Sequence, residues 1–122
     1  MRKTILAALT GILVALGAVP ATAGRTVEVS VWQYGVESTS RTIQVGNFFT
    51  LVGTGFKTWG PAKVCLTGQY PCTTSEVDGT GSFSQTDILY YPGTYLIHVY
   101  QQKSRNGGNA GLVYSGQLTA VN

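Results

Sequence analysis

Apolar and polar residues alternate along short segments of the chain beyond residue 25, as in half-buried β-strands. The first segment, residues 26–34, places Val27, Val29 and Val31 on one face and mainly polar side chains on the other. Turn residues interrupt the pattern at intervals of about 8 to 12 residues, which is typical of a β-sandwich or barrel. We therefore expect seven or eight short strands, namely A (26–34), A′ (42–45), B (48–55), C (62–66), C′ (72–77), E (83–89), F (94–102) and G (112–121).

The first 23 residues follow a different pattern. Arg2 and Lys3 precede an apolar stretch over residues 4–19, and the small residues Ala21-Thr22-Ala23 follow it. The apolar stretch is shorter than the roughly 20 residues that a membrane-spanning helix needs. The pattern predicts a secretory signal peptide, residues 1–23, cleaved after Ala23 to leave one domain, residues 24–122. We therefore expect a secreted protein without a stable membrane anchor, either extracellular or, where the cell has an outer membrane, periplasmic.

Loss of the signal peptide changes the charge of the protein. The whole chain has eight Lys and Arg against five Asp and Glu. Two of the basic residues, Arg2 and Lys3, belong to the signal, so the mature charge falls to about +1. The remaining basic residues are scattered, whereas nucleic-acid binding requires clustered Lys and Arg. We therefore expect no nucleic-acid partner.

Cys65 and Cys72 are the only two cysteines, and they flank a turn-rich stretch over residues 67–71. In an exported protein this arrangement favours a disulfide. A zinc site would need four ligands, and His98 is the only histidine available to supplement the two thiols. The spacing also differs from the C-x-x-C of thioredoxin-like redox proteins. We expect a disulfide that closes the hairpin between strands C and C′, with no metal site and no cofactor.

Four short phrases carry a resemblance to a known family. V-G at 45–46, V-G-T-G-F at 52–56, V-D-G-T-G-S-F-S at 77–84 and P-G-T-Y at 92–95 resemble recurring phrases of bacterial immunoglobulin-like domains. The resemblance covers most of residues 26–121 and implies an all-β, immunoglobulin-like antiparallel β-sandwich with sheets A-B-E and G-F-C-C′. The antibody-type disulfide between strands B and F is absent, because both cysteines flank one hairpin. The implied function is binding or surface interaction.

A second and narrower resemblance covers residues 52–86. A disulfide-closed hairpin after strand C, an acidic-glycine turn and a Ser/Thr-rich strand are similar to the neocarzinostatin family of secreted sandwiches. That resemblance implies carriage of a small apolar molecule with an antimicrobial role. The chain departs from the family in its shorter cysteine spacing and in lacking the second disulfide.

The residues that could support catalysis do not form a recognised pattern. His98 lies in the middle of strand F, and no G-x-S-x-G phrase supplies a nucleophile. Glu76, Asp78 and Asp87 could form a carboxylate pair, but Asp78 in an Asp-Gly turn already has a structural reason to be there. We expect a protein that is not an enzyme.

Two surfaces compete as the predicted binding site. In an immunoglobulin-like sandwich the B–C, C′–E and F–G connections gather at one end. The predicted site at this loop end is an aromatic anchor with polar neighbours: Lys57, Trp59, Asp78, Lys103 and Arg105. Trp59 could instead fold back as a lid on the core.

The alternative surface is the outer face of strand F, which would present Leu96, His98 and Tyr100. The sequence leaves the ligand open among a protein, a glycan and a small molecule. Carbohydrate binding is compatible, since tyrosine and tryptophan can stack on sugar rings. We expect the protein to be a monomer.

Overall fold

The computed structural model describes residues 26–68 and 72–122, so the predicted signal peptide and its cleavage site lie outside the described residues. Within these ranges the chain forms strands and no helix. The strands are β1 (Glu28–Gln33), β2 (Val36–Glu37), β3 (Thr42–Gln44), β4 (Phe48–Thr54), β5 (Ala62–Leu66), β6 (Thr73–Ser75), β7 (Phe83–Ile88), β8 (Gly93–Ser104) and β9 (Gly107–Val121).

The strands form two sheets. One has five strands in the order β3-β9-β8-β5-β6, and the other has four in the order β2-β1-β4-β7. Since β1, β4 and β7 are the predicted strands A, B and E, and β9, β8, β5 and β6 are G, F, C and C′, both predicted sheets are confirmed. Neighbouring strands are antiparallel, apart from the parallel pair of β3 with β9. The fold is the expected all-β fold of two sheets, as in a β-sandwich.

The strand count differs from the prediction because of β2. Strand A was predicted to run from residue 26 to Tyr34, with no further strand before A′ at residues 42–45. Instead, Tyr34 and Gly35 form a tight turn with φ angles of 58° and 77°, and Val36–Glu37 pairs back onto β1. Positive φ at both central residues is the conformation of a two-residue hairpin. The described residues therefore contain nine strands rather than seven or eight.

The connection between β8 and β9 is also shorter than predicted. Strands F and G were predicted to be separated by residues 103–111, but β8 extends to Ser104, β9 begins at Gly107, and only Arg105 and Asn106 form the turn. Gly107 and Gly108 have φ angles of 103° and 99°, and the register shifts between Gly107 and Ala110. The glycines thus allow an irregularity within a strand rather than marking a loop.

The core lies between the two sheets and follows the predicted alternation. Val29 and Val31 on β1 are buried, and so are Tyr95, Ile97 and Val99 on β8. The Tyr95 hydroxyl also donates a hydrogen bond of 2.6 Å to the carbonyl of Tyr91 at the corner before β8. This bond ties the turn of the chain before β8 to the buried start of that strand.

Arg41 connects the two sheets beside β3. Its guanidinium donates hydrogen bonds to the carbonyls of Val29 and Gln117, both at 2.8 Å, and to the hydroxyl of Tyr114 at 2.9 Å. Val29 belongs to β1, whereas Tyr114 and Gln117 belong to β9. One charged side chain thereby joins strands from both sheets.

The predicted disulfide between Cys65 and Cys72 is confirmed. Val64 on β5 pairs with Thr73 on β6, so the next residues, Cys65 and Cys72, lie opposite each other. Their Cα atoms are 4.2 Å apart, which suits a directly opposed antiparallel pair. The bond joins two strands at the edge of the five-stranded sheet.

Replacing both cysteines by alanine should lower the free energy of unfolding by about 2.5 kcal/mol. The reason is that an unfolded chain without the bond gains the freedom of the loop between residues 65 and 72. Urea unfolding of the oxidised protein and the double variant would measure the difference. Equal stability of the two proteins would contradict the prediction, and unchanged strand signals in circular dichroism would serve as the control for folding.

Candidate functional site

An open groove of about 510 Å³ lies on the outer face of the four-stranded sheet, the face turned away from the core. This size falls within the range of small-ligand sites. The groove is lined by Trp32, Gln33, Tyr34, Gly35, Phe48, Thr50 and Val52. None of these residues belongs to the site predicted from the sequence.

Strand pairing brings the groove residues together. Trp32 on β1 lies directly opposite Thr50 on β4. Phe48 and Val52 are two residues before and after Thr50, so alternation puts all three on the same face. Tyr34 joins them from the β1–β2 turn, where its hydroxyl donates a hydrogen bond of 2.9 Å to Gln44 Oε1. Two strands and one turn thus supply an aromatic surface.

The aromatic rings of the groove are accessible to a ligand. Phe48 is 68% exposed and Tyr34 is 65% exposed, although both are large apolar side chains. Phe49, the next residue after Phe48, is fully buried in the core. The phenylalanine doublet therefore contributes one ring to folding and one to the surface. Exposed apolar surface in a concave patch is typical of an interaction site.

Most polar groups in the groove already have partners within the protein. Trp32 Nε1 donates to Ser30 Oγ at 2.9 Å, and the hydroxyls of Thr50 and Thr86 lie 3.0 Å apart. The Gln33 side chain accepts a hydrogen bond of 2.8 Å from the backbone N–H of Gln44 and donates one of 3.0 Å to the backbone carbonyl of Gln44. The groove therefore offers a ligand mainly the faces of its rings.

The charges on the four-stranded sheet are negative. Its strands contain no Lys or Arg, and the outer face has Glu37 opposite Trp32 and Glu28 opposite Thr54. Neither glutamate forms an ion pair or a side-chain hydrogen bond within the described residues. Both carboxylates are exposed, and Glu37 is the one that lies directly opposite Trp32.

Three of the predicted loop-end residues lie together at the opposite end of the sandwich. Lys57 Nζ is 5.4 Å from the centroid of the Trp59 ring, and Arg105 Cζ is 5.6 Å from it. Both distances fit cation–π contacts. The Trp59 indole N–H donates a hydrogen bond of 3.1 Å to the carbonyl of Gln102. The indole thereby links the β4–β5 connection to strand β8.

A buried glutamine fixes the same connection. The Gln101 side chain accepts a hydrogen bond from Lys57 N at 3.1 Å and donates to the carbonyls of Lys57 at 2.7 Å and Gly60 at 2.9 Å. Gln101 is only 2% exposed. Its three bonds hold the backbone on which Trp59 lies.

The other two predicted loop-end residues have different contacts. Asp78 Oδ1 accepts hydrogen bonds from the hydroxyl and backbone N–H of Thr80, at 2.6 and 2.8 Å, and from the N–H of Ser82 at 3.1 Å. These bonds lower the pKa of Asp78, most strongly through the Thr80 hydroxyl, and keep the carboxylate charged within its turn. The Lys103 side chain lies over Gly111, where a Cβ would collide with Lys103 Cε.

The residues of the alternative face lie on the outer side of β8, as expected from alternation. Leu96 is exposed, and His98 and Tyr100 are half-buried. The rings of His98 and Tyr100 pack edge to face with centroids 6.4 Å apart. His98 pairs across the sheet with Cys65, so the disulfide is next to it. This surface is a packed row of side chains.

Metal and membrane features are absent from the part of the chain that the structure describes. There, no group of three or more His, Cys, Asp or Glu side chains is arranged to hold a metal ion. In residues 26–68 and 72–122, no helix is long and apolar enough to cross a membrane. Comparison with protein-family models and with curated proteins found no match to the chain.

Proposed function

We propose that this protein is a secreted, non-catalytic binding module of the immunoglobulin-like type, and that its ligand binds in the groove on the four-stranded sheet. The observation that carries the proposal is the exposure of Tyr34 and Phe48 beside Trp32 on one sheet face. Folding alone gives no reason to place these rings in water, since Phe49 and its neighbours form the core. Binding of a ligand would remove the exposed apolar surface from water.

Secretion and the immunoglobulin-like family are parts of the same proposal. The disulfide is compatible with an extracellular location. The signal-peptide pattern of residues 1–23 supports export, and the strand order together with the Tyr95 corner supports the family resemblance. The family resemblance favours adhesion or ligand binding over catalysis.

The groove is a better binding surface than the loop end. Trp59 already uses its N–H for the Gln102 carbonyl, and its ring already contacts two cations, Lys57 and Arg105. A ligand at Trp59 would have to displace those contacts. The rings in the groove face an open volume, so stacking on them would require no such exchange.

The candidate catalytic groups have structural roles that support a non-catalytic protein. His98 packs against Tyr100, and the carboxylate of Asp78 holds its own turn. Asp87 Oδ2 accepts a hydrogen bond of 2.8 Å from the amide of Gln85. Each group contributes to a local contact rather than facing the groove.

Binding of Nile red, a neutral apolar dye, tests the groove without knowledge of the natural ligand. We expect Phe48→Ala and Trp32→Ala each to weaken dye binding by about tenfold or more, because each removes a ring from the groove. Trp59→Phe should bind the dye as the wild type does. Unchanged binding by Phe48→Ala, or loss of binding in Trp59→Phe, would contradict the proposal. Thermal unfolding of each variant would confirm that it is folded.

Carriage of a small apolar molecule is a second candidate function, favoured by the aromatic and aliphatic lining of the groove. It corresponds to the resemblance to the neocarzinostatin family. A carrier should release a small molecule when protein secreted by its natural source is extracted with organic solvent. Protein that is free of any such molecule, and that shows Phe48-dependent dye binding, would favour the general binding module.

A further inference from the structure

Four side chains form a row across the outer face of the four-stranded sheet. Glu37 lies opposite Trp32, Trp32 lies opposite Thr50, and Thr50 lies opposite Thr86. Since neighbouring strands are about 4.8 Å apart, the row is about 14 Å long. It presents a carboxylate, an indole ring and two hydroxyl groups in that order, with the ring of Phe48 beside it.

We propose that the ligand of the groove is a neutral glycan, bound with its sugar rings stacked on Trp32 and Phe48 and its hydroxyl groups bonded to Glu37. This inference rests on the proposed function, since it names the ligand class of the same groove. The glycan would lie across the strands, along the row. Thr50 and Thr86 would meet further hydroxyl groups at the far end.

The chemistry of a sugar ring matches the two kinds of surface in the row. A pyranose ring has an apolar face of C–H groups and a rim of hydroxyl groups. The aromatic rings can cover the apolar face and remove it from water. A carboxylate has only acceptor atoms, so Glu37 can accept hydrogen bonds from hydroxyl groups at the rim, and such charge-assisted bonds are the stronger kind.

The charge of the sheet distinguishes a neutral glycan from anionic ligands. With Glu28 and Glu37 on this face and no Lys or Arg in its strands, a polyanion would meet like charge without a partner. Acidic glycans, phosphorylated lipids and nucleic acids are therefore disfavoured. A purely apolar molecule would cover the rings but would offer no hydrogen-bond donor to the Glu37 carboxylate. If the molecule extended as far as Glu37, it would also remove the carboxylate from water without compensation.

Surface plasmon resonance with the immobilised protein tests the inference against polysaccharides of different charge. The neutral probes are hydroxyethyl cellulose, galactomannan, laminarin and amylopectin, and the charged probes are polygalacturonate and chitosan. We expect at least one neutral probe to bind, with affinity that added sodium chloride leaves unchanged because the ligand has no charge. Trp32→Ala and Glu37→Gln should each weaken that binding by about tenfold. Glu28→Gln is the matched control on the same strand as Trp32, and it should bind as the wild type does.

The outcomes separate this inference from the proposal on which it rests. The glycan inference is overturned if no neutral probe binds, if only a charged probe binds, or if Glu37→Gln binds as tightly as the wild type. If Nile red still binds in a Phe48-dependent manner in any of these cases, the groove remains a binding site for another ligand class. If Nile red binding does not depend on Phe48, the proposed function fails as well.

Discussion

Replacing Phe49 by alanine should lower the free energy of unfolding by about 3 to 5 kcal/mol. Phe49 is fully buried between the two sheets, so its replacement by alanine leaves a cavity that water does not readily enter. The loss combines the transfer free energy of the ring with the cost of the cavity left between the two sheets. Urea unfolding followed by circular dichroism would measure the change.

Phe48→Ala is the matched control, because it removes the same side chain from the adjacent position on β4. Phe48 is 68% exposed, and we expect its removal to change the free energy of unfolding by no more than about 0.5 kcal/mol. Equal losses in the two variants would mean that Phe48 contributes to the core. The Phe48 ring would then have a role in folding, and its position would no longer indicate a ligand site.

Replacing Gln101 by alanine should have the second largest effect, a loss of about 3 kcal/mol in the free energy of unfolding. The change removes three hydrogen bonds to Lys57 and Gly60 and leaves their backbone groups without these partners. Since Trp59 lies between those two residues, its fluorescence should also shift in the folded variant. Thermal unfolding and tryptophan emission would measure both effects.

Gln102→Ala is the control for Gln101, since it alters the next residue on β8. The Gln102 side chain is half-buried and donates one hydrogen bond, to the carbonyl of Ser104 at 3.2 Å. Its loss should cost less than about 1 kcal/mol. The backbone carbonyl that accepts the Trp59 N–H is unaffected. A greater destabilisation by Gln102→Ala than by Gln101→Ala would refute the role given to the buried amide.

The alternation of apolar residues was sufficient to predict the principal strands, whereas the arrangement of the sheets was predicted from the resemblance to immunoglobulin-like domains. In residues 26–34 the valines identified the buried face of β1, and the segment after Thr94 did the same for β8. The reason is that strand side chains alternate between the two faces with a period of two, so one buried face leaves a regular pattern. The disulfide was predictable because both cysteines flank one short turn.

The two hairpins were misjudged because their conformations depend on backbone angles rather than on apolar pattern. Tyr34 has a φ angle of 58°, which is uncommon for a residue other than glycine, so the turn before β2 could not be predicted from this residue. Gly107 and Gly108 fall in the predicted interval between strands F and G, yet they lie in β9 because pairing with β8 continues there. Glycine and asparagine are poor indicators of a loop when a long partner strand supplies the backbone hydrogen bonds.

The groove could not be predicted because its residues come together only through strand register. The sequence does indicate two exposed rings. Alternation places Trp32 on the outer face of β1, and the Phe48-Phe49 doublet requires one of its rings to face outward. Which residue of β4 lies opposite Trp32 is set by the β1–β4 pairing, and the sequence alone does not reveal it. Of the predicted loop-end residues, Lys57 and Arg105 lie beside the Trp59 ring. Their use in binding remains a prediction.

The most direct test of the groove as the binding surface uses the two tryptophans of the chain, one in each rival surface. Each indole N–H gives its own signal in a ¹H–¹⁵N correlation spectrum, and the Trp32→Phe and Trp59→Phe variants assign the two. Phenyl β-D-glucopyranoside, a soluble neutral probe with an apolar ring and a sugar, is then titrated into the wild-type protein. We expect the Trp32 signal to move progressively, together with the amides of Gly35 and Thr50, while the Trp59 signal stays in place. Movement of the Trp59 signal with Trp32 unchanged would contradict this prediction.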